Sequence, residues 1–323
     1  MLVTGAFGNL GLMVVEELAR RGIATRAIAL PGARARRIAR RVERRLGGRV
    51  EVVFGDVCDG AWLERQVDGV DAVIHLAAIL PPASEADPGR AEAVNVSATA
   101  GLVAAIERSP RRPILVYPSS LTVFGVTREA APPRRVGDPV VASDVYTGGK
   151  IAVERMLAAS SIAWVVLRVG VSVDARTLAA DAGTLRQMVR VRGDNRMEWV
   201  HPADVAVALV NAALRREAVA GRVLLCGGGA RCQVRQADLL GAGLGALGLG
   251  WSAALHGQEE FYTDWLDTAE SERLLEYQRR SFDDYRREMA RRLRWARWAL
   301  WPLRPVIERA LWALARRVNR PRR

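Results

Sequence analysis

The chain opens on an apolar strand-like run that gives way at once to Thr4-Gly5-Ala6-Phe7-Gly8-Asn9-Leu10-Gly11, after which Leu12 to Arg21 show helical periodicity. Glycines three apart let the backbone approach a bulky anion, and the helix N-terminus that follows points the positive end of its dipole at the same spot. Strand, glycine turn and helix in this order form the first unit of a doubly wound parallel sheet. The alternative, a plain tight turn, needs no such context.

Apolar and helical stretches then alternate. Strands are expected at Ala24–Leu30, Val50–Phe54, Ala72–Leu76, Ile114–Tyr117 and Ala163–Arg168, with helices near Arg34–Leu46, Ala61–Val67, Glu92–Arg108 and Asp144–Ala159. The pattern predicts an α/β fold: a Rossmann-type doubly wound parallel sheet covered on both faces. Ligands in such sheets lie beyond the carboxyl ends of the strands. Gly55-Asp56-Val57, Leu76-Ala77-Ala78, Ser119-Ser120 and Val169-Gly170 all fall there.

A second feature is compositional. Of 48 Lys plus Arg residues, Lys150 is the only lysine, and it stands four residues after Tyr146. With five tyrosines in 323 residues, chance places a lone lysine there about 5 times in 323. Tyr-x-x-x-Lys puts both side chains on one helical face. An ammonium is a compact charge, unlike the wide guanidinium fork, and its field favours tyrosinate. Such a tyrosine can serve as an acid/base near neutral pH. The competing reading is a stray lysine on a solvated face.

From Met1 to about Ala208 the chain resembles the extended short-chain dehydrogenase/reductase family, which includes sugar-nucleotide epimerases and 3β-hydroxysteroid dehydrogenases. The resemblance rests on the glycine turn, Gly55-Asp56-Val57, His75-Leu76-Ala77-Ala78, Asn95-Val96-Ser97-Ala98-Thr99, Ser119 to Gly125, Tyr146-x-x-x-Lys150, and Trp199 to Ala206. It implies that Asp56 bonds an adenine amino group and Val57 packs on the ring. It places Leu76, Ala77 and Ala78 along ribose and pyrophosphate, with Gly5, Phe7, Gly8, Asn9, Leu10 and Gly11 around the phosphates, and counts Val169 among the cofactor-binding residues. Ser120 would polarise the substrate oxygen, Tyr146 carry the proton, and Lys150 hold the nicotinamide ribose and lower the tyrosine pKa. Asn95 matches a position tied to a helix kink and proton relay, and is otherwise a helix cap. Ser119 and Ser120 could be strand-end turn residues. His201 reads as a structural residue before Pro202, and Asp204 as a helix cap.

The cofactor is NADP or NAD, with NADP favoured. The second strand ends Leu30-Pro31-Gly32-Ala33-Arg34 without an acid, and Arg34 is positioned to meet a 2′-phosphate. Arg34, Arg36 and Arg37 could instead be the solvated face of the next helix. Dehydration needs a further acid/base, and the positions after Ser120 are Leu121 and Thr122, neither of which titrates. The expected activity is hydride transfer between a secondary alcohol and a ketone. A sugar-nucleotide epimerase holding NAD tightly and a non-catalytic nucleotide-binding scaffold at a membrane surface are the alternatives.

The expected organisation is a dinucleotide-binding domain at 1–172, a smaller substrate lobe at 173–278 with 199–226 returning to the sheet, and a basic amphipathic helical tail at 279–323. Substrates would be a small alcohol or ketone, or a nucleotide sugar met by Arg176, Arg186, Arg190, Arg192 and Arg196. Apolar Leu239–Trp251 could line a pocket or form ordinary helix and turn.

Net charge is +13, and from residue 279 onward fifteen arginines stand against Asp283, Asp284, Glu288 and Glu308, a balance of +11. The basic character therefore belongs to the tail. A long polar helix is expected from Thr268, then two amphipathic ones broken at Pro302 and Pro305. Their stripes are Met289, Leu293, Ala296, Leu300, Leu303 and then Ile307, Leu311, Leu314, Val318, with Trp295, Trp298, Trp301 and Trp312 nearby. Residues 289–318 could lie on an anionic membrane surface, dock on the body, or join a homodimer. No motif supports nucleic acid. Cys58, Cys226 and Cys232 are too few for a disulfide framework or metal site, which suggests a reducing compartment. With no leader before the first strand and no apolar run near 20 residues, the expected location is cytoplasmic, with peripheral attachment at a membrane face as the variant.

Overall fold

The computed structural model describes residues 1–174 and 182–319. Its main sheet has β1 (Leu2–Thr4), β2 (Thr25–Ala29), β3 (Val50–Phe54), β4 (Ala72–His75), β5 (Ile114–Ser120), β6 (Trp164–Val169) and, after a short β7 (Arg196–Glu198), β8 (Arg222–Cys226). The order is β3-β2-β1-β4-β5-β6-β8, all neighbours parallel. Chain order reverses beside β1, which opens a crevice at its carboxyl end.

Successive strand residues feed opposite cores. Val3, Ala27, Ile74 and Val116 face one side with α1 (Asn9–Arg20) and α2 (Ala33–Leu46), while Leu2, Ile28, Val73 and Leu115 face the other with α3 (Gly60–Val67) and the helix Ala98–Arg108. Strands covered on both faces carry no polar alternation. The helix Pro202–Leu214, buried along nearly its whole length, packs between the sheet and α1.

Three expectations change. β5 runs on through Ser119 and Ser120, so the serines are strand residues before they are turn residues. The helix expected at Glu92–Arg108 is interrupted by a π-turn over Ala93–Ser97. The polar helix expected from Thr268 stops at Leu275, where Glu276 takes a left-handed φ of 50° and Tyr277 turns into the core.

β7 pairs antiparallel with β9 (Gln233–Arg235) outside the main sheet. Around this pair, Met197, Trp199, Leu239, Phe282, Tyr285 and Met289 form a separate apolar cluster. Leu275 and Tyr277 belong to the main core instead, so the chain returns to the sheet once more before the tail. The stretch Leu239–Trp251 is ordinary helix and turn: Gln236–Ala246 is helical and contributes Leu240 and Leu244 to a cluster shared with the tail.

Candidate active site

At the switch point, Gly5 has φ of +61°, and a Cβ there would sit 2.7 Å from the Leu76–Ala77 backbone. Gly11 packs with its α-carbon against the Gly5 carbonyl, closing the turn onto α1. The α1 N-terminus has Gly8 as N-cap, with no capping side chain and no acid in the first turn. Its first amides are therefore left for an anion. They face a cavity of about 730 Å³ lined by Gly5, Phe7, Gly8, Asn9, Arg34, Asp56, Val57, Leu76, Ala77 and Ala78. Ten of the expected cofactor residues thus meet in one cavity. Leu10 and Gly11 lie behind it, in the first turn of α1.

Not anticipated were Cys58 and Arg90, which also line the cavity. Arg90 comes from a short helix, Pro88–Glu92, that only the tertiary fold brings over the third strand's end. Asp56 uses Oδ1 to accept the Cys58 amide at 2.9 Å, which fixes the loop. Arg34 stands in the first turn of α2 at the cavity wall, whereas Arg36 lies over the Phe54 ring and Arg37 is exposed.

A buried hydrogen-bond chain fixes the Leu76–Ala77 wall. Thr4 Oγ1 accepts the amides of Leu76 and Ala77, both at 3.1 Å, so its own proton goes to His75 Nδ1 at 2.8 Å. The ring's Nε2–H then donates to Thr99 Oγ1 at 3.1 Å, and Thr99 to the Asn95 carbonyl. Burial, with the Lys150 charge second, pulls His75 down to about 3 and keeps it neutral. Asn95 sits in the π-turn, as its expected link to a kink requires. Its side chain clamps Ile79, accepting the amide at 2.7 Å and donating to the carbonyl at 2.9 Å. Those contacts are a loop clamp, and no direct bond ties Asn95 to Tyr146 or Lys150.

One strand further, Ser120 ends β5 in register with Val169 of β6. Tyr146 and Lys150 lie on the helix Val145–Ala159, whose N-terminus is held by an Asp144–Thr147 capping box and by Glu85, which accepts the amides of Val145 and Tyr146. Ser120, Tyr146, Lys150 and Val169 do not line that cavity. Ser120 Oγ accepts from Thr122 Oγ1 at 2.8 Å and from the Thr122 amide at 3.2 Å. With its lone pairs occupied, the serine keeps its single proton to donate, and it stands close enough to Tyr146 to oppose the rise of that phenol's pKa. Thr122 is thus a site residue that the sequence reading passed over, although a hydroxyl two residues after a strand-end serine is the signal of such a turn.

Lys150 corrects an expectation. Its ammonium, 5% exposed, donates to the Pro118 carbonyl at 2.7 Å and lies 4.4 Å from the Tyr117 ring centroid, against 5.5 Å for Tyr146. Burial lowers it to about 8, with Glu154 opposing. The phenol of Tyr146, far from being acidified, is pushed up to about 12 by burial and the Asp144 charge, with the Ser120 bond opposing. Behind the site, Glu154 accepts from Ser119 at 2.5 Å and pairs with Arg168 at 2.8 Å, both partners buried.

His201 is structural as expected, capping its helix through the Ala203 amide and meeting Glu288 at 3.1 Å. Asp204 does not cap its helix; it is buried and anchors the Arg279 and Arg280 amides. Arg192 and Arg196 pair with Asp194 and Asp264, Arg186 and Arg190 are exposed, and Arg176 lies outside the described residues. Among the described residues the three cysteines are free, no cluster of metal ligands occurs, and no helix is long and apolar enough to cross a membrane.

Known proteins resemble the chain in sequence and in fold. A stretch of 129 residues is 33% identical to the D-erythronate dehydrogenase of Cupriavidus necator, spanning 39% of this chain and 40% of that protein's length. In fold, the chain is similar to a dTDP-glucose 4,6-dehydratase double mutant from Streptomyces venezuelae solved with NAD (TM-score 0.75, 22% identity, 91% of this chain and 96% of that one). It is similar as well to the UDP-glucose-4-epimerase of Stenotrophomonas maltophila with bound NAD (TM-score 0.73, 21% identity, 94% and 98%). Residues 1–227, from the glycine turn through the last strand of the main sheet, match the NAD dependent epimerase/dehydratase family. The chain therefore belongs to that family of enzymes, those of the extended short-chain dehydrogenase/reductase type.

Proposed function

We propose that the protein interconverts a secondary alcohol and a ketone with a nicotinamide cofactor, NADP in preference to NAD. The observation that carries this reading is that Ser120, its lone pairs taken by Thr122, stands beside Tyr146 with Lys150 one helical turn along. The uncapped α1 terminus and the glycine cradle fit a pyrophosphate, and Arg34 at the cavity wall fits a 2′-phosphate. When bound, the cofactor supplies or takes the hydride at the carbinol carbon.

The chain's own groups manage the proton. A phenol held neutral up to about 12 is a proton donor at pH 7, suited to giving its proton to a ketone oxygen as hydride reaches the carbon. Ser120 donates a second hydrogen bond to that oxygen and stabilises the charge developing there. Lys150 keeps a positive charge beneath the phenol, so the tyrosinate left behind is less costly. A small alcohol or ketone fits better than a nucleotide sugar, because Arg192 and Arg196 are already paired with carboxylates and not left for a diphosphate. The 33% identity to a dehydrogenase points the same way, over a limited span.

The test is NADPH and NADH oxidation with a panel of small ketones, on wild type and Tyr146→Phe. Turnover should fall by about 10²- to 10⁴-fold in the variant with cofactor affinity retained. Unchanged turnover would remove Tyr146 from the mechanism. Stoichiometric NAD released on denaturing the purified protein would instead favour an epimerase that retains its cofactor.

A further inference from the structure

The C-terminal helices turn part of their apolar stripes onto the body. Met289 is buried against Trp199 and Leu239, with Leu293 packed beside it, and Ile307, Leu311 and Ala315 pack with Val189, Leu240, Leu244 and Leu249. Asn319 Nδ2 reaches the Leu255 carbonyl at 2.9 Å, and Glu308 accepts the Gly250 amide at 2.7 Å. The tail is thus docked on the body by the very residues whose stripes suggested a membrane helix.

Docking leaves a different face outward. Trp295, Trp298 and Trp301, three apart on one side of helix Arg294–Leu300 and the turn that follows it, are 69%, 77% and 74% exposed. Trp312, Leu303 and Val306 are exposed beside them in sequence. Between Met289 and Asn319 the sequence has eight arginines, all exposed, and a single acid, Glu308, which is taken up by Gly250 and Arg304. The Arg294 guanidinium lies over the Trp295 ring, 5.1 Å from its centroid. Large indoles left in water are costly, and a surface this apolar and this cationic calls for a partner that is both apolar and anionic.

We propose that this outward face seats the enzyme on the surface of a bilayer containing anionic phospholipid. Indole rings sit at the depth where headgroups meet acyl chains, and guanidinium groups bind lipid phosphates. No described helix can cross a bilayer, so the contact is peripheral. A second copy is a poorer occupant. A two-fold interface would set this patch against itself, cation on cation, with no carboxylate to pair. Because the last helix packs on Ala182–Arg190 and on the turn Ala253–Leu255, the contact brings the smaller lobe, not the nucleotide cavity's α2 side, next to the lipid.

The experiment is co-sedimentation of the full-length protein with vesicles of phosphatidylcholine alone and of phosphatidylcholine with phosphatidylglycerol. Binding should be at least about tenfold stronger with the anionic lipid and weaken as salt is raised. The triple variant Trp295→Ala, Trp298→Ala, Trp301→Ala should lose about tenfold or more with an unchanged melting temperature, since these side chains face solvent. Arg291→Glu with Arg294→Glu provides a second route that leaves all three indoles in place. Equal binding to both vesicle types, or variants that bind like wild type, would overturn the proposal. So would a wild-type dimer that ignores vesicles and becomes monomeric in the tryptophan variant.

Discussion

Lys150 donates to the Pro118 carbonyl at 2.7 Å, inside the end of the strand that also carries Ser120. The chain's single lysine is therefore a brace between helix and sheet as well as a charge beneath the phenol. Arginine could not repeat this, because its planar fork is too wide for a 5%-exposed slot.

That burial makes stability depend on pH. Lys150 is lowered to about 8 in the folded chain from 10.5, so between those values the unfolded chain binds more protons. Wild type should gain stability relative to Lys150→Met as pH rises through that window, by up to about 3 kcal/mol. Paired thermal melts across the window check it. A constant difference would mean that the ammonium is not desolvated.

Catalysis should depend on direction. Ketone reduction needs Tyr146 protonated and Lys150 charged, and should hold through neutral pH and decline as pH climbs past about 8 and Lys150 loses its charge. Alcohol oxidation needs the phenol to give up its proton, and should speed up with pH over the neutral range. Initial rates in both directions provide the comparison, and parallel profiles would count against a tyrosine acid/base.

Thr122→Val removes the hydroxyl that orients Ser120 without touching substrate. It should lower kcat by about tenfold, well short of the loss in Ser120→Ala, with little change in cofactor affinity. Equal losses in the two variants would make Thr122 a direct participant.

Arg34→Ala should weaken NADPH binding about tenfold or more and leave NADH nearly unaffected, as read by fluorescence titration. Equal weakening of both would return Arg34 to the solvated face of α2.

Gly5→Ala forces a methyl against the Leu76–Ala77 backbone at a left-handed φ. We expect a loss of about 2 kcal/mol or more in stability together with nucleotide binding, measured by denaturant unfolding and titration. Arg168→Met should cost about 3 to 5 kcal/mol by leaving Glu154 charged and buried without its partner.

The strand–glycine–helix opening, the alternating elements and the Tyr146/Lys150 spacing were legible in the sequence because each is set by local periodicity or backbone freedom. So were ten wall residues of the nucleotide cavity, since a parallel sheet delivers every strand's carboxyl end to one edge. Only the tertiary structure decided the rest. Arg90 reaches the cavity, and Thr122 turns Ser120, through contacts that spacing does not encode. Burial, a property of the packed chain, pushed Tyr146 to about 12 where the sequence suggested an acidified phenol. In the tail, composition announced arginine, tryptophan and two apolar stripes. Packing alone determined that Ile307 and Leu311 turn inward on Leu240 and Leu244 while Trp295, Trp298 and Trp301 face out, because a helix cannot tell which side has a neighbour until the body is there to cover it.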